Sequence, residues 1–151
     1  MTKKILLIYH SQSGLNKKLA NACLTSCEKE QVEVSLKNAK DTVLEDVKDS
    51  DGIIIISPEY FGYMAGAIKD FFDRTYYPAR ELNLNLPYAL VIGCENDGTG
   101  AERGIDTIAK GYVLRKSLKT LIVKEKDIKS SLPKVEELAQ TFAAGVAMGI
   151  F

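Results

Sequence analysis

The chain has 151 residues, 46% of them apolar, and its 20 basic and 20 acidic side chains cancel to a formal net charge of zero. That length suits one domain, residues 1–151, with a core of its own, and that apolar content excludes a disordered chain. Dispersed, balanced charge argues against nucleic acid as the main partner, no apolar run approaches a membrane span, and the chain opens on a strand rather than a leader peptide.

Residues 3–9, KKILLIY, form a continuous apolar run and read as a buried strand. Residues 15–29 carry Leu15, Leu19, Ala22 and Cys23 at helical spacing. Val32 to Leu36 alternates, which marks a half-covered strand nearer an edge. Residues 42–49 read as a short helix with Val43, Leu44 and Val47 on its apolar face. Ser50-Asp51-Gly52 is a turn, and Gly52 to Ser57 is a second fully apolar strand. Pro58 is expected to stop that strand, since it lacks the ladder N–H. A loop at 58–64 leads into a helix carrying Ala67, Ile68, Phe71 and Phe72 on one face. Residues 76–86 read as an irregular polar connection. Tyr88 to Cys94 is the third buried strand, and Glu95 to Gly100 is a loop. Residues 101–116 predict a helix with Ile105, Ile108, Ala109 and Tyr112 inward. Thr120 to Val123 is a fifth strand. The last helix is expected to start near Pro133, a favoured first-turn residue, and to bury Val135, Leu138, Ala139, Phe142 and Val146.

Strict alternation of strands and helices predicts an α/β three-layer sandwich, a five-stranded parallel sheet with helices on both faces. The alternating second strand belongs outside, which favours the strand order 2-1-3-4-5. Ligands of such sheets bind beyond the carboxyl ends of the strands, at the switch point between strands 1 and 3.

Three loops leave the carboxyl ends of the central strands. Ser11-Gln12-Ser13-Gly14-Leu15-Asn16 holds hydroxyls, amides and a glycine, with no acidic residue, at a strand-to-helix turn. Backbone N–H groups and the helix dipole there suit a phosphate, although a turn of this composition also caps a helix. Tyr60, Phe61 and Tyr63 make the second loop aromatic, which suits stacking on a planar ring. The third carries Gly93, Gly98 and Gly100 with Asn96 and Asp97, where the backbone can approach a ring edge. Three cysteines without paired spacing point to a reduced, cytoplasmic setting, and one histidine without Cys-x-x-Cys speaks against a metal site.

Two of these segments carry a family resemblance. Residues 11–16 resemble the phosphate loop of the flavodoxin-like superfamily, commonly Ser/Thr-x-Thr-Gly-x-Thr. Residues 57–74, SPEYFGYMAGAIKDFFDR, are more specific. They resemble the Ser-Pro-x-Tyr-x-Gly-x-x-(Ser/Ala)-Gly-x-(Met/Leu/Ile)-Lys-x-Phe-x-Asp-Arg segment of the small FMN-dependent NAD(P)H reductases. The resemblance implies that Ser11, Gln12, Ser13, Gly14, Leu15 and Asn16 hold the FMN phosphate. It implies that Pro58, Glu59, Tyr60, Phe61 and Gly62 line the isoalloxazine, and that Cys94, Glu95, Asn96, Asp97 and Gly98 flank its other edge. Asn16 departs from the usual hydroxyl. The third loop lacks the aromatic that electron carriers of the superfamily stack on flavin, and the chain lacks both their acidity and the long insertion in the last strand.

The implied activity is passage of electrons from NAD(P)H, as co-substrate, through FMN to a small-molecule acceptor such as a quinone or free flavin. Hydride transfer requires no side-chain acid or base, so no catalytic residue is assigned. The alternative is a flavodoxin-type electron carrier with a protein partner and no NAD(P)H turnover, and a flavin-free protein on the same fold is the third reading. A homodimer is one arrangement that the resemblance implies, with residues 76–86 as a candidate contact.

Overall fold

The computed structural model describes residues 1–151. In chain order its elements are β1 (Lys3–Tyr9), α1 (Leu15–Cys27), β2 (Val32–Asn38), α2 (Leu44–Lys48), β3 (Gly52–Tyr60), β4 (Tyr63–Met64), α3 (Gly66–Leu82), β5 (Leu86–Cys94), α4 (Thr99–Tyr112), β6 (Leu114–Lys116), β7 (Leu121–Lys124) and α5 (Ile128–Ala147). The sheet order is β2-β1-β3-β5, and the fifth position is shared by β6 and β7, which pair with the first and second halves of β5. All of these pairs are parallel; only β4 runs back against the end of β3.

The apolar runs are continuous because both faces of the sheet are covered, so successive side chains enter different cores. Leu6, Ile8, Ile53, Ile55, Leu90 and Ile92 meet Phe71 and Phe72 of α3 and Ile105 and Tyr112 of α4. Ile5, Leu7, Ile54, Ile56, Ala89 and Val91 meet Leu19 and Cys23 of α1 and Phe142 and Val146 of α5. The expected three-layer architecture and the edge position of β2 hold. The strand count does not, because seven segments make the sheet.

Four further expectations fail locally, each because tertiary contacts outweigh a local signal. First, Pro58 does not end β3. Ile56 and Pro58 face the same neighbour, and β1 has ended where the His10 N–H meets the Ile56 carbonyl at 3.2 Å. The missing proline N–H therefore has no ladder partner to lose. Second, residues 76–82 are helical, not irregular, and α3 runs through Pro78. Ala79 is buried, the Tyr76 ring lies 6.5 Å from that of Tyr112, and Arg74 donates to the carbonyls of Ala39 and Thr42, both at 3.0 Å. Third, α4 ends at Tyr112 rather than 116, with Val113 left-handed at φ 66°. This lets Leu114 enter the sheet edge while the buried Tyr112 hydroxyl donates to Thr75 at 2.9 Å. Fourth, α5 begins at Ile128, so Pro133 lies in its second turn, where Ile128 and Leu132 already pack on the core.

Candidate functional site

At the carboxyl end of β1 the chain turns into α1 through Gly14, the N-cap residue, which is left-handed at φ 104°. A side chain there is strained, so glycine permits the turn. The Ser11 hydroxyl accepts the Gly14 N–H at 3.1 Å. The N–H groups of Leu15, Asn16 and Lys17 have no acceptor in the protein, and no acidic side chain stands in the first turn. Lys17 stands there instead, its ammonium donating to the Tyr9 hydroxyl at 2.8 Å. Open donors, the helix dipole and a cation are the features that suit an anion.

The Asn16 side chain is turned away from that end. It is buried, its Nδ2 donates to the Gly93 carbonyl at 3.0 Å, and its Oδ1 accepts the Gly93 N–H at 3.1 Å. A Cβ on Gly93 would stand 2.6 Å from that Oδ1. The expected side-chain contact of Asn16 with a phosphate is therefore corrected: only its N–H faces the turn, because the amide is needed to close a buried backbone pair.

At the end of β3, Tyr60-Phe61-Gly62-Tyr63 makes a two-residue hairpin, with Phe61 at φ 53° and Gly62 at φ 73°. Positive φ at both central residues is the hairpin turn that matches strand twist. Tyr60 faces the cleft, and its ring meets His10 edge-on with centroids 6.2 Å apart. Burial raises the Tyr60 phenol pKa. Burial, then the Lys40 charge, lowers that of His10. Phe61 projects fully into solvent, 108% exposed, rather than lining the cleft.

Glu59 lines the cleft and also reaches beyond it. Its Oε1 accepts the Gly98 N–H at 2.9 Å, and its Oε2 accepts those of Gly100 at 2.9 Å and Ala101 at 3.1 Å. The carboxylate thus caps α4, whose own N-cap, Gly98, is left-handed at φ 89°. The hairpin and α4 touch so closely that a Cβ on Gly100 would overlap the Gly62 carbonyl oxygen.

Gln12, Ser13, Leu15, Asn16, Pro58, Glu59, Tyr60, Gly93, Cys94, Glu95 and Glu125 line one cleft of about 390 Å³, within the range of small-molecule sites. Ser11 and Gly14 stand behind it in the turn. Gly62 sits on α4, and Asn96 and Asp97 are exposed outside it, the Asp97 carboxylate accepting the Thr99 hydroxyl at 2.7 Å. Burial, then the Glu59 charge, pushes the Cys94 thiol up, which makes it a wall rather than a nucleophile. One lining residue was missed from sequence: Glu125, which follows the fifth strand position, a fourth carboxyl end that patterning alone locates.

Residues 37–109 match the family model described as NADPH-dependent FMN reductase. Over 71 residues the chain is 35% identical to a flavodoxin of Aquifex aeolicus (strain VF5), a match covering 46% of this chain and 38% of that protein. The match thus spans well under half of that relative's length. A flavodoxin from the domain Archaea superposes with a TM-score of 0.80 at 21% identity, covering 95% of this chain and 98% of that one. Rubredoxin oxygen:oxidoreductase from the anaerobe Desulfovibrio gigas superposes with a TM-score of 0.82 at 17% identity, covering 96% of this chain and 36% of that one. The fold is flavodoxin-like. The FMN reductase match covers just under half of the chain.

Proposed function

We propose that this chain is an FMN-dependent oxidoreductase that takes electrons from NAD(P)H and delivers them to a small acceptor such as a quinone or free flavin. The observation that carries the reading is the span of the FMN reductase match, residues 37–109, which takes in β3, the hairpin, α3 and the loop after β5. These are the ring-side walls of the cleft.

The residues present fit FMN. Unpaired N–H groups at 15–17, the hydroxyls of Ser11 and Ser13, and the absence of any carboxylate in that turn suit its phosphate. Pro58 and Tyr60 on one side and Cys94 and Glu95 on the other suit a flat heterocycle. Three carboxylates, Glu59, Glu95 and Glu125, line the ring half without a lysine or arginine among the lining residues, so an anionic group is directed to the α1 end. FMN, when bound, supplies the electron chemistry. The chain's residues bind and orient: α1 anchors the phosphate, Tyr60 presents a face, and the backbone after β5 presents donors to a ring edge. No helix is long and apolar enough to cross a membrane, and all three cysteines are free and buried; a reducing, cytoplasmic setting is part of the proposal. A homodimer is tested by sedimentation of the full chain.

A flavodoxin-type carrier is the second reading, favoured by the Aquifex aeolicus match. One experiment separates them. The protein is mixed with FMN, freed of excess, and given NADH or NADPH anaerobically. Retained colour that bleaches with either nucleotide supports the reductase. Retained colour that bleaches only with dithionite supports the carrier. Colourless protein overturns both.

A further inference from the structure

The two ring-side segments of the cleft are joined by one side chain. Glu59 lies on β3, yet its carboxylate gathers the N–H groups of Gly98, Gly100 and Ala101, 39 to 42 residues on. These are the N-cap, second and third positions of α4, where a helix leaves its donors unpaired. A carboxylate on donors at the positive end of a helix makes charge-assisted bonds, the strong kind. Two side contacts close the same seam: Gly100 lies against the Gly62 carbonyl, and Gly104 leaves room for the Tyr63 ring. Met64 is buried in the core that also takes Ala101 and Ile105.

We infer that Glu59 is a positioning residue: its carboxylate latches the hairpin to the loop after β5 and so presets the width of the ring end of the cleft. Pro58 and Tyr60 flank Glu59 on one wall. Cys94 and Glu95 lead to Gly98 on the other. Besides the latch, the segment 95–98 is held by Cys94 in the sheet, by Ile122 against Gly98 and by the first turn of α4. The latch also fills the α4 helix end, which leaves the α1 end as the open anion site of the cleft. This inference rests on the proposed FMN reading for its ligand, though the latch itself is a property of the chain alone.

The test compares wild type, Glu59→Gln and Glu59→Ala. Amide hydrogen exchange without flavin reads the latch: exchange at Gly98, Gly100 and Ala101 is expected to quicken in the order wild type, Gln, Ala. Titration with FMN and with riboflavin reads the ring end. Both flavins are expected to lose affinity by the same factor, about tenfold or more in the Ala variant, because each must then order the ring end as it binds. The bound flavin's visible spectrum and midpoint potential are expected to shift too, which simple loss of a helix cap does not produce. Unchanged amide exchange overturns the latch. Freed amides with flavin affinity, spectrum and potential unchanged reduce Glu59 to a helix cap and overturn its positioning role. Failure of wild type to bind either flavin overturns the FMN reading instead, and the exchange data stand apart from it. Glu59→Gln keeps shape and one acceptor, so it decides the matter where the Ala variant does not fold.

Discussion

Helices α1 and α4 begin in the same way and end up doing opposite things. Each follows a buried parallel strand, each has a left-handed glycine at its N-cap, and neither has a side-chain bond from that cap residue. At α4 the donors are closed by Glu59 from a neighbouring strand, and Glu102 adds a second carboxylate to the first turn. At α1 the donors at 15–17 are open, and the charge in the first turn is Lys17. Two identical backbone devices thus differ only in which side chain reaches them. A helix N-terminus is an anion site only where the chain has not already supplied the anion.

The largest expected effect lies behind the open end. Asn16→Ala strands the buried N–H and carbonyl of Gly93, which is expected to cost about 2–4 kcal/mol of stability. Denaturant unfolding measures it, and a loss under 1 kcal/mol means that water takes the place of the amide. Next comes the closed end. Gly100→Ala gains about 1 kcal/mol of helix propensity, yet its methyl meets the Gly62 carbonyl, backbone that cannot rotate away. A net loss of about 1–3 kcal/mol is expected. A variant as stable as wild type shows that the hairpin and α4 are not pressed together.

Making one end resemble the other is the more informative pair. Ser13→Asp supplies α1 with its own carboxylate. It is expected to cut FMN affinity by about tenfold or more, while adding about 0.3–1 kcal/mol to stability through the helix dipole. Riboflavin, which has no phosphate, is expected to bind unchanged. Glu59→Ala does the reverse. Inorganic phosphate is then expected to shift the amide resonances of Gly98, Gly100 and Ala101, which it leaves alone in wild type. The smallest effect is at the hairpin tip. Phe61 is fully exposed at φ 53°, so Phe61→Gly loses no packing, and relief of the left-handed strain is expected to stabilise the chain by about 0.5–1 kcal/mol. Lower stability instead would show that the ring packs where the structure leaves it free.

The architecture was legible because its signals are local. Continuous runs such as Ile53 to Ile56 mark a strand covered on both faces, and the alternating Val32 to Leu36 marks an edge. The three loops that gather at the cleft were legible for the same reason, since each follows a strand's carboxyl end. Local signals failed where packing outweighs them, at Pro58, Pro78 and Pro133, each of which sits inside an element rather than at its border.

What the sequence by itself determined is the parallel sheet, its order from β2 to β5, and the side of the sheet on which the cleft forms. Periodicity reports burial, and burial of both faces admits few topologies. What only the tertiary structure decided is what each polar side chain does at that site. Asn16 and Glu59 both read as ligand contacts from their positions in motifs. Their partners lie 77 and about 40 residues away, and a hydrogen bond depends on three-dimensional distance rather than on spacing along the chain. The residue that looked made for a phosphate closes a strand end, the residue expected beside a ring also closes a helix, and the open donors of α1 are backbone groups that no residue type announces.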